Sequence, residues 1–464
     1  MTATTRQQIY FAAVFIVINL LLLYWAVPEA TYLQGGDAAL YMGPAKALIE
    51  LGHFASSPET PALPLSFAPP LYPLFLALPI GLLPWKAALV AVVILQAIML
   101  WATAWLTRSL VPDRYAKGRS TVQGLVLFNP NALITVHLVQ TESLFTLLAV
   151  SMLVCLQTVI RMPRMRPAVL GGLLLGLAAL TRPTALYAIP VLLVLLPILV
   201  LFLPGGNAIW RRTAIMGLVI GLTAAVTVSP WFMRNALLFD RLIYTTNSGF
   251  YFADQYVELL QVGQNLSTQE ASDLRYNRIA DYAKAAGVVD PDALPAPERS
   301  ELYRRATAPL LLAEPVSAHL KALARSWANL YIGGGASNIK NYLGLQGETL
   351  MQFMQTQPWR GVTGTLHDFF AKGYATYLAL VGLTLAFTIP FRLLGVAGIV
   401  ALWTGRDRAT VLLFVGYLGF FTAQYLYLGQ SRFRIPLEPV LMILATVGLL
   451  DLAEKWRRLR GGAA

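Results

Sequence analysis

Long apolar segments, nearly free of charge, constrain the fold of this chain more than any other feature. Clear examples are Phe11–Val27, Ala87–Leu106 and Val191–Leu203. A helix needs about 20 consecutive apolar residues to cross the hydrocarbon core of a bilayer. The chain is 57% hydrophobic and only 12% charged, with a mean hydropathy of +0.60, whereas about 25% of the residues in a soluble domain are charged. The sequence therefore predicts an all-α polytopic membrane protein.

The first apolar segment predicts a retained helix instead of a cleaved signal peptide. Ile9–Val27 is longer and richer in leucine than the apolar region of a signal peptide, and no small-residue cleavage site follows it. We expect this segment to be the first membrane crossing.

Positively charged clusters beside the apolar segments predict the topology. The chain carries 35 Lys and Arg against 23 Asp and Glu, a formal net charge of +12. Lys and Arg next to membrane helices are typical of cytoplasmic loops, so this charge indicates membrane anchoring and not a nucleic-acid partner. The predicted cytoplasmic anchors are Arg6, Arg108–Arg119, Arg161–Arg166, Arg211–Arg212, Arg406–Arg408 and Lys455–Arg460.

About ten membrane crossings place every one of these anchors on the cytoplasmic side, and they leave both termini in the cytoplasm. Residues 1–464 then form a single transmembrane domain. The predicted crossings are Ile9–Val27, Ala87–Leu106, Val122–Leu138, Ser143–Ile160, Ala168–Leu180, Ala185–Leu203, Ala214–Val228, Tyr374–Trp403, Val411–Leu428 and Ile435–Leu452.

Two long segments, residues 28–85 and 230–372, are predicted to be outer loops on the non-cytoplasmic side. Within the first outer loop, Pro70–Leu83 is apolar but only about 14 residues long, so we expect a helix lying at the interface. Pro390 lies inside the predicted crossing Tyr374–Trp403. It allows one kinked helix or two half-helices, and the alternation of cytoplasmic anchors favours one crossing.

Two acidic residues at outer helix junctions are candidate catalytic groups. Asp37 precedes a helical pattern that runs from Ala38 to a stop at Gly52. Glu142 lies where an outward helix ends and an inward helix begins. A carboxylate at such a position can stabilise the start of a helix, or it can face a polar cavity and pair with a cation. The spacing leaves both interpretations open.

Four arginines are predicted to lie on the outer side, where they cannot serve as cytoplasmic anchors. Arg182 stands in LTRPT, Arg234 follows SPWFM, and Arg432 and Arg434 stand in GQSRFRIPLEP. A guanidinium group can bind a lipid phosphate through its planar set of donors. Contact with bulk headgroups would explain one such arginine, but arginines at three junctions favour a shared anionic ligand.

Two further features of the outer loops indicate contact with the membrane surface. Phe67–Pro73 is predicted to present Tyr72 at the interface, where aromatic side chains anchor membrane proteins. Pro309–Tyr331 has apolar residues at helical spacing and is predicted to form an amphipathic helix on the outer leaflet. The glycine run Gly333–Gly335 is expected to end it.

The cysteine and histidine content gives no pattern typical of a metal site. Cys155 is the only cysteine, and its place in an apolar segment predicts a buried, structural side chain. The four histidines, His53, His137, His319 and His367, show no metal-ligand spacing.

Six motifs in order along the chain resemble the GT-C superfamily of membrane glycosyltransferases, in particular the bacterial relatives of protein O-mannosyltransferases and lipid A aminoarabinose transferases. The motifs are GGDAALY, PPLYPLFLA, TESLF, GGLLLGLAALTRPTAL, PWFMRN and SRFRIPLEPVL. Each is weak alone, but their order and their positions relative to the predicted crossings match the family. The resemblance implies a GT-C-type bundle of transmembrane helices with interfacial helices in the first periplasmic loop.

The resemblance also implies roles for individual residues. Asp37 matches the acid of the first outer loop, which acts as general base or metal partner, and Glu142 matches a second acid. Arg182 matches a basic residue near the lipid phosphate, and we expect Arg432, Arg434 and Arg234 to assist it. Tyr41, Tyr72 and His137 are expected to line the substrate pocket. Ala38 stands where many members have a further acid, so a divalent metal ion remains an open question and no metal ligand is assigned.

The function implied by the resemblance is sugar transfer from a polyprenyl-phosphate donor to a hydroxyl group on a lipid, glycan or protein acceptor. Such an enzyme, with inversion at the sugar, would lie in a bacterial inner membrane with its site at the periplasmic face. The alternative is a transporter or flippase of a lipid-linked or anionic solute. Transporters place charged residues near the middle of the bilayer, whereas here they cluster at outer helix ends, which favours an enzyme.

Overall fold

The structure, a computed structural model, describes residues 3–26, 37–200, 207–345, 349, 352–353, 357, 360–371, 375–405 and 407–461. The start of the predicted first outer loop (28–36), the last residues of the sixth predicted crossing (201–203), Lys372 and Arg406 lie outside these residues. Within the described ranges the regular structure is helical and contains no β-strand.

The helices lie along the chain as follows. They are α1 (Ala3–Ala26), α2 (Ala39–Leu51), α3 (Leu71–Leu82), α4 (Trp85–Leu110), α5 (Arg119–Leu127), α6 (Pro130–Thr135), α7 (Glu142–Arg161), α8 (Met165–Thr181), α9 (Ala188–Val200), α10 (Asn207–Phe239), α11 (Asn247–Gly263), α12 (Thr268–Ala285), α13 (Ala296–Ala313), α14 (Val316–Tyr331), α15 (Ala336–Tyr342), α16 (Gly361–Ala371), α17 (Ala375–Thr404), α18 (Arg408–Tyr425) and α19 (Glu438–Gly461). A 3₁₀ helix, Ser431–Leu437, leads into α19.

Six helices among the described residues are long and apolar enough to cross a membrane: α1, α4, α7, α10, α17 and α19. Each coincides with a predicted crossing, and the all-α polytopic fold is confirmed. Three other predicted crossings correspond to α8, α9 and α18, which are 17, 13 and 18 residues long.

The segment predicted as the crossing Val122–Leu138 is not one continuous helix. The segment divides into α5 and α6, nine and six residues long. Asn129 ends the continuity because its side chain accepts hydrogen bonds from the backbone N–H groups of Asn131 and Ala132. Pro130 then begins the new helix, where its fixed φ angle and missing N–H are tolerated.

Prolines inside two long helices do not end them. α10 continues through Pro230 to Phe239, so the connection predicted from residue 230 begins only after Phe239. The indole N–H of Trp231 donates to the carbonyl of Tyr244 at 2.9 Å and fixes the chain beyond the helix. Pro390 lies within α17, which forms one continuous helix as the anchors favour. Packed neighbours allow a membrane helix to tolerate an internal proline.

The helix α17 packs very closely on α19, which fixes the position of the 3₁₀ helix before α19. A Cβ atom added to Gly398 would lie 1.9 Å from the carbonyl oxygen of Leu444. A Cβ atom at Gly448 would lie 2.0 Å from the carbonyl oxygen of Leu394. Small residues at helix contacts of this kind let backbones approach inside a membrane.

The segment predicted as the first outer loop contains two short helices, as expected. α2 ends at Gly52, which adopts a left-handed conformation with φ of +74° that glycine reaches without strain. α3 occupies the apolar segment between Pro70 and Leu83 and is 12 residues long. The rings of Tyr41 on α2 and Tyr72 on α3 meet edge to face with centroids 5.2 Å apart.

Between α10 and α17, helices α11–α14 form a helical unit with apolar clusters of its own. The segment Pro309–Tyr331, predicted as one amphipathic helix, is divided between the end of α13 and α14. The division follows from Pro315, because proline forces the preceding residue, Glu314, out of the helical region to ψ of 149°. α14 ends at Tyr331, just before the glycine run, as predicted.

Candidate active site

Asp37 forms an ion pair with an arginine from the other end of the chain. Its carboxylate Oδ2 accepts a hydrogen bond from Nη1 of Arg432 at 2.6 Å. Arg432 lies in the 3₁₀ helix before α19. The residue at the N-cap position of α2 is Ala38, with no side-chain cap bond. Asp37 therefore pairs with a cation and does not occupy the N-cap position of α2.

Glu142 makes the second ion pair. It is the first residue of α7 and is 3% exposed, and its Oε1 accepts a hydrogen bond from Nη1 of Arg182 at 3.0 Å. Arg182 ends α8 in an extended conformation, with φ of −139° and ψ of 131°. The following Pro183 explains this conformation, since proline disfavours the helical region for the residue before it.

An aromatic ring joins the two ion pairs. The ring of Phe433 lies 4.9 Å from the guanidinium carbon of Arg432 and 5.6 Å from that of Arg182. On Phe433, the ring of Tyr425 stacks in parallel with centroids 4.7 Å apart. Cations at this distance from a ring are attracted by its negative face. Asp37, Arg432, Glu142 and Arg182 therefore form one group, called the paired site below.

The hydroxyl group of Tyr41 lies within the electric field of the whole paired site. Burial raises the pKa of Tyr41 to about 12. The positive charges of Arg182 and Arg432 lower this pKa, and the negative charges of Glu142 and Asp37 raise it. At neutral pH the hydroxyl therefore stays protonated and can donate a hydrogen bond.

Two polar groups of the site lack a hydrogen-bond partner in the described part of the chain. They are the hydroxyl of Tyr425 and Nε of Arg432, both buried. A buried donor without a partner costs free energy, and both groups can donate to an anionic oxygen. The site therefore contains two guanidinium groups, and it has unpaired donors on Arg432 and Tyr425 that can bind an anion.

Tyr72 lies behind the site, although it was expected to line the substrate pocket. Its hydroxyl donates to Oε1 of Gln96 at 2.9 Å. Gln96 in turn donates to the carbonyls of Val136 and Leu138, each at 2.8 Å. Tyr72 is fully buried and supports Tyr41 through the edge-to-face contact of their rings.

The structure places His137 in a packing network instead of the paired site. Its Nε2 lies 3.0 Å from Oδ1 of Asn19, and its Nδ1 lies 3.1 Å from the hydroxyl of Tyr342. Tyr342 donates to the carbonyl of Leu22 at 2.9 Å. The imidazole therefore connects α1, the turn after α6, and α15. We do not include His137 in the proposed pocket.

Arg434 is buried in a separate charged cluster. It is 1% exposed and donates to Glu438 and to the carbonyls of Leu330 and Gly333, the latter two at 2.6 and 2.7 Å. Arg392 donates to the same Glu438 oxygen at 2.7 Å. We call Arg392, Glu438 and Arg434 the buried triad. Arg434 thus serves packing, and its expected role at the lipid phosphate is not retained.

Arg234 also lies apart from the paired site and binds backbone carbonyls. Its guanidinium donates to the carbonyls of Leu65 and Phe54, the second at 2.9 Å. It stacks on the ring of Trp231 at 4.6 Å. These contacts attach the chain between α2 and α3 to the end of α10, so Arg234 acts as a structural link.

Replacing Arg234 with alanine should lower the free energy of unfolding by about 1–3 kcal/mol, because the partly buried carbonyl of Leu65 loses its side-chain donor and the carbonyl of Phe54 keeps only the N–H of Leu65. SDS titration of purified protein measures it, with the reactivity of the Cys155 thiol as the signal, since this thiol is 7% exposed in the folded state. Arg241→Ala is the matched control, because Arg241 is 53% exposed in its ion pair and such pairs contribute about 0.2–1 kcal/mol. Equal stability of both variants would contradict a structural role for Arg234.

The donor set does not fit a divalent metal ion. Among the residues that the structure describes, no group of three or more His, Cys, Asp or Glu side chains comes together in a way that could hold one. The carboxylates of Asp37 and Glu142 each bind a guanidinium group, and Ala38 supplies no further oxygen ligand. We therefore derive no catalytic step through a metal.

Phe433 and Tyr425 are the site residues that the sequence did not identify. An aromatic residue between two arginines in SRFRIP was the available signal for Phe433. Tyr425 carried no signal, because it ends an apolar helix in which aromatic residues are common. Its contact with Phe433 depends on how the chain turns between α18 and α19.

These helices and the paired site define an all-α polytopic membrane protein with a charged site at one end of its bundle. The oligosaccharyltransferase AglB from Archaeoglobus fulgidus, in complex with an inhibitory peptide and a dolichol-phosphate, has a similar fold, with a TM-score of 0.50 and 13% sequence identity. The match covers 98% of this chain and 52% of AglB, so the chain spans about half the length of that protein. The bundle fold expected for this chain is thereby confirmed.

ArnT from Cupriavidus metallidurans, bound to undecaprenyl phosphate, also matches, with a TM-score of 0.40 and 15% identity over 96% of this chain and 78% of ArnT. No protein-family model and no curated protein sequence matches the chain.

Proposed function

We propose that this protein is a glycosyltransferase that moves a sugar from a polyprenyl-phosphate donor to an acceptor hydroxyl group. The observation that carries the proposal is the paired site, in which two carboxylates and two guanidinium groups meet around Phe433 and Tyr41. The similarity of the fold to AglB, whose structure is in complex with an inhibitory peptide and a dolichol-phosphate, supports a lipid-phosphate ligand. The sugar and the acceptor, which is a lipid, glycan or protein, are not specified by the site.

An apolar cavity next to the site supports a lipid-linked donor. Phe145 lines this cavity and also contacts Arg182, with its ring centre 5.6 Å from the guanidinium carbon. The other lining residues come from α7, α8, α9, α18 and the turn before α9, and are almost entirely apolar. The cavity has a volume of about 40 Å³, which is room for the start of a prenyl chain and not for a whole chain. In the proposal, this first part of the chain enters the cavity and the phosphate lies at Arg182. Arg432, which also contacts the ring of Phe433, is the second phosphate ligand of the proposal.

In the proposed reaction, the acceptor oxygen attacks the anomeric carbon of the sugar and the bond from that carbon to the phosphate oxygen breaks. The lipid phosphate leaves with the bonding electrons, and the configuration inverts. Asp37 accepts the proton of the acceptor hydroxyl, a step that contributes about 100- to 10,000-fold to the rate. Arg182 and Arg432 stabilise the charge that develops on the phosphate, usually the largest catalytic effect.

Glu142 and Tyr41 have supporting roles in this proposal. Glu142 holds Arg182 at the top of the cavity through their hydrogen bond of 3.0 Å. Tyr41, protonated at neutral pH, donates a hydrogen bond to a sugar or phosphate oxygen. We place the site at the periplasmic face of a bacterial inner membrane with both termini in the cytoplasm, because the arginine and lysine clusters of the short loops lie at the other ends of the helices.

Purified protein in detergent, given a labelled polyprenyl-phosphate sugar and a membrane extract as acceptor pool, is expected to release free polyprenyl phosphate. Arg432→Ala should lose this release, because it removes a phosphate ligand. Arg241→Ala, which changes an exposed arginine between α10 and α11, should retain it. Absence of release from a panel of donors, together with delivery of the intact sugar lipid across a proteoliposome membrane, would contradict the proposal and support a transporter.

A further inference from the structure

The outward face of α14 carries large apolar side chains, although α14 is not one of the helices that could cross the membrane. Val316, Leu320 and Trp327 are 72%, 62% and 50% exposed, and Leu312 at the end of α13 is 85% exposed. Residues spaced by three, four or seven lie on one side of a helix. Val316, Leu320 and Trp327 therefore lie on one side of α14. Together with Leu312, which precedes the break at Pro315, they are called the α14 stripe.

The inward face of the same helix carries its arginine. Arg325 is 7% exposed and donates to Oε1 of Gln261 at 2.8 Å and to the carboxylate of Glu258. Ala322 and Leu330 are buried beside it. A helix that faces water normally exposes its charged residues and buries its large apolar residues. α14 does the opposite, because its arginine is buried and its large apolar residues are exposed. Such a reversal indicates that the outward face meets an apolar medium.

The exposed face of α12, in the same helical unit, is mainly polar, although Leu274 and Tyr276 are also exposed. Its exposed positions include Asp273, Arg278 and Asp281, and it begins with a capping box between Ser267 and Glu270. Charged residues on an exposed helix face are typical of contact with water. The helical unit therefore has one side suited to water and another suited to lipid.

The end of α14 is attached to helices of the membrane bundle. The hydroxyl of Tyr331 hydrogen-bonds with Thr422 of α18, and the carbonyl of Tyr331 accepts from Nε of Arg392 of α17 at 3.0 Å. Ile332 and Leu426, next to these contacts, are 47% and 41% exposed. Exposed apolar side chains thus lie both on the helical unit and on the bundle, next to the contact between them.

We infer that the α14 stripe lies in the outer leaflet of the membrane, at the boundary between headgroups and acyl chains, and that its partner is the phospholipid bilayer. Trp327 suits this boundary, where indole rings concentrate. Lys321, exposed beside Leu320, can extend its ammonium group to the lipid phosphates. The helical unit is thereby held on the membrane surface with α12 in water. This inference does not depend on the proposed reaction.

Spin labels on single cysteines test the inference in proteoliposomes. Cys155, the only native cysteine, is replaced by alanine, and cysteines are introduced singly as Leu320→Cys, Val226→Cys and Val289→Cys. Val226 is 70% exposed in the membrane-spanning part of α10, and Val289 is fully exposed beyond α12. The label at 320 is expected to resemble that at 226, with high accessibility to oxygen and low accessibility to a nickel chelate.

A label at 320 that behaves like the one at 289, with ready access for the nickel chelate, would overturn the inference. So would low accessibility to both reagents, because that result indicates a protein partner on the α14 stripe. Val316→Cys, one turn earlier, repeats the test if Leu320→Cys does not fold. Val316→Cys is expected to give the same lipid signature.

Discussion

Asp37→Asn is expected to reduce sugar transfer by about 100- to 10,000-fold, the contribution of a positioned general base. The change preserves the size of the side chain and removes its capacity to accept a proton. The side chain of Asp37 is 38% exposed, so the variant should fold and insert normally. The measurement is the initial rate of release of polyprenyl phosphate from the labelled donor.

The same variant should bind polyprenyl phosphate more tightly than the native protein. In the ligand-free structure the carboxylate of Asp37 occupies Nη1 of Arg432 at 2.6 Å, and a lipid phosphate competes for this donor. A partly exposed ion pair contributes about 0.2–1 kcal/mol, so its loss should lower the Kd by up to about fivefold. Binding to labelled polyprenyl phosphate at equilibrium measures this change.

Glu50→Gln is the matched control, because Glu50 is an exposed acid on α2, the helix that Asp37 precedes. It should change neither the rate of transfer nor the affinity for polyprenyl phosphate. A rate for Asp37→Asn close to that of the native protein would remove Asp37 from the proposed chemistry. Weaker binding of polyprenyl phosphate by Asp37→Asn would instead indicate that the carboxylate helps to hold the ligand.

Hydropathy and charge predicted the membrane helices because bilayer thickness imposes a length and composition on every crossing. Helix α2 could also be predicted from the sequence, because it ends at Gly52 in a left-handed backbone conformation that glycine readily adopts. The break at Asn129 was missed because only the mean hydropathy of Val122–Leu138 was used, although the segment contains the pair Asn129-Pro130. This pair is a local signal for the start of a new helix, and the side-chain bonds of Asn129 to the next helix form the break.

The ion pair between Asp37 and Arg432 could not be predicted from the sequence. Asp37 and Arg432 lie 395 positions apart, and no local pattern connects them. Arg432 and Arg434 received the same predicted role, yet they lie on different sides of a 3₁₀ helix, which has three residues per turn. Arg432 therefore reaches Asp37, whereas Arg434 points into the buried triad.

The buried triad joins three parts of the chain near the paired site. Glu438, at the start of α19, accepts hydrogen bonds from Arg434 of the 3₁₀ helix and Arg392 of α17. Its exposed fraction is 2%, and the two arginine side chains are 1% and 13% exposed. Since Arg434 also binds the carbonyls of Leu330 and Gly333, the triad holds the end of α14 and the segment that carries Arg432.

Glu438→Gln should therefore lower the free energy of unfolding by about 3–5 kcal/mol, because it leaves two buried guanidinium groups without an anion. SDS titration with Cys155 reactivity as the signal measures this loss. Glu454→Gln, on the same helix, is the matched control: Glu454 is 41% exposed in its ion pair with Arg458, and its loss should cost at most about 1 kcal/mol. Equal stability of the two variants would show that the triad does not hold these segments together.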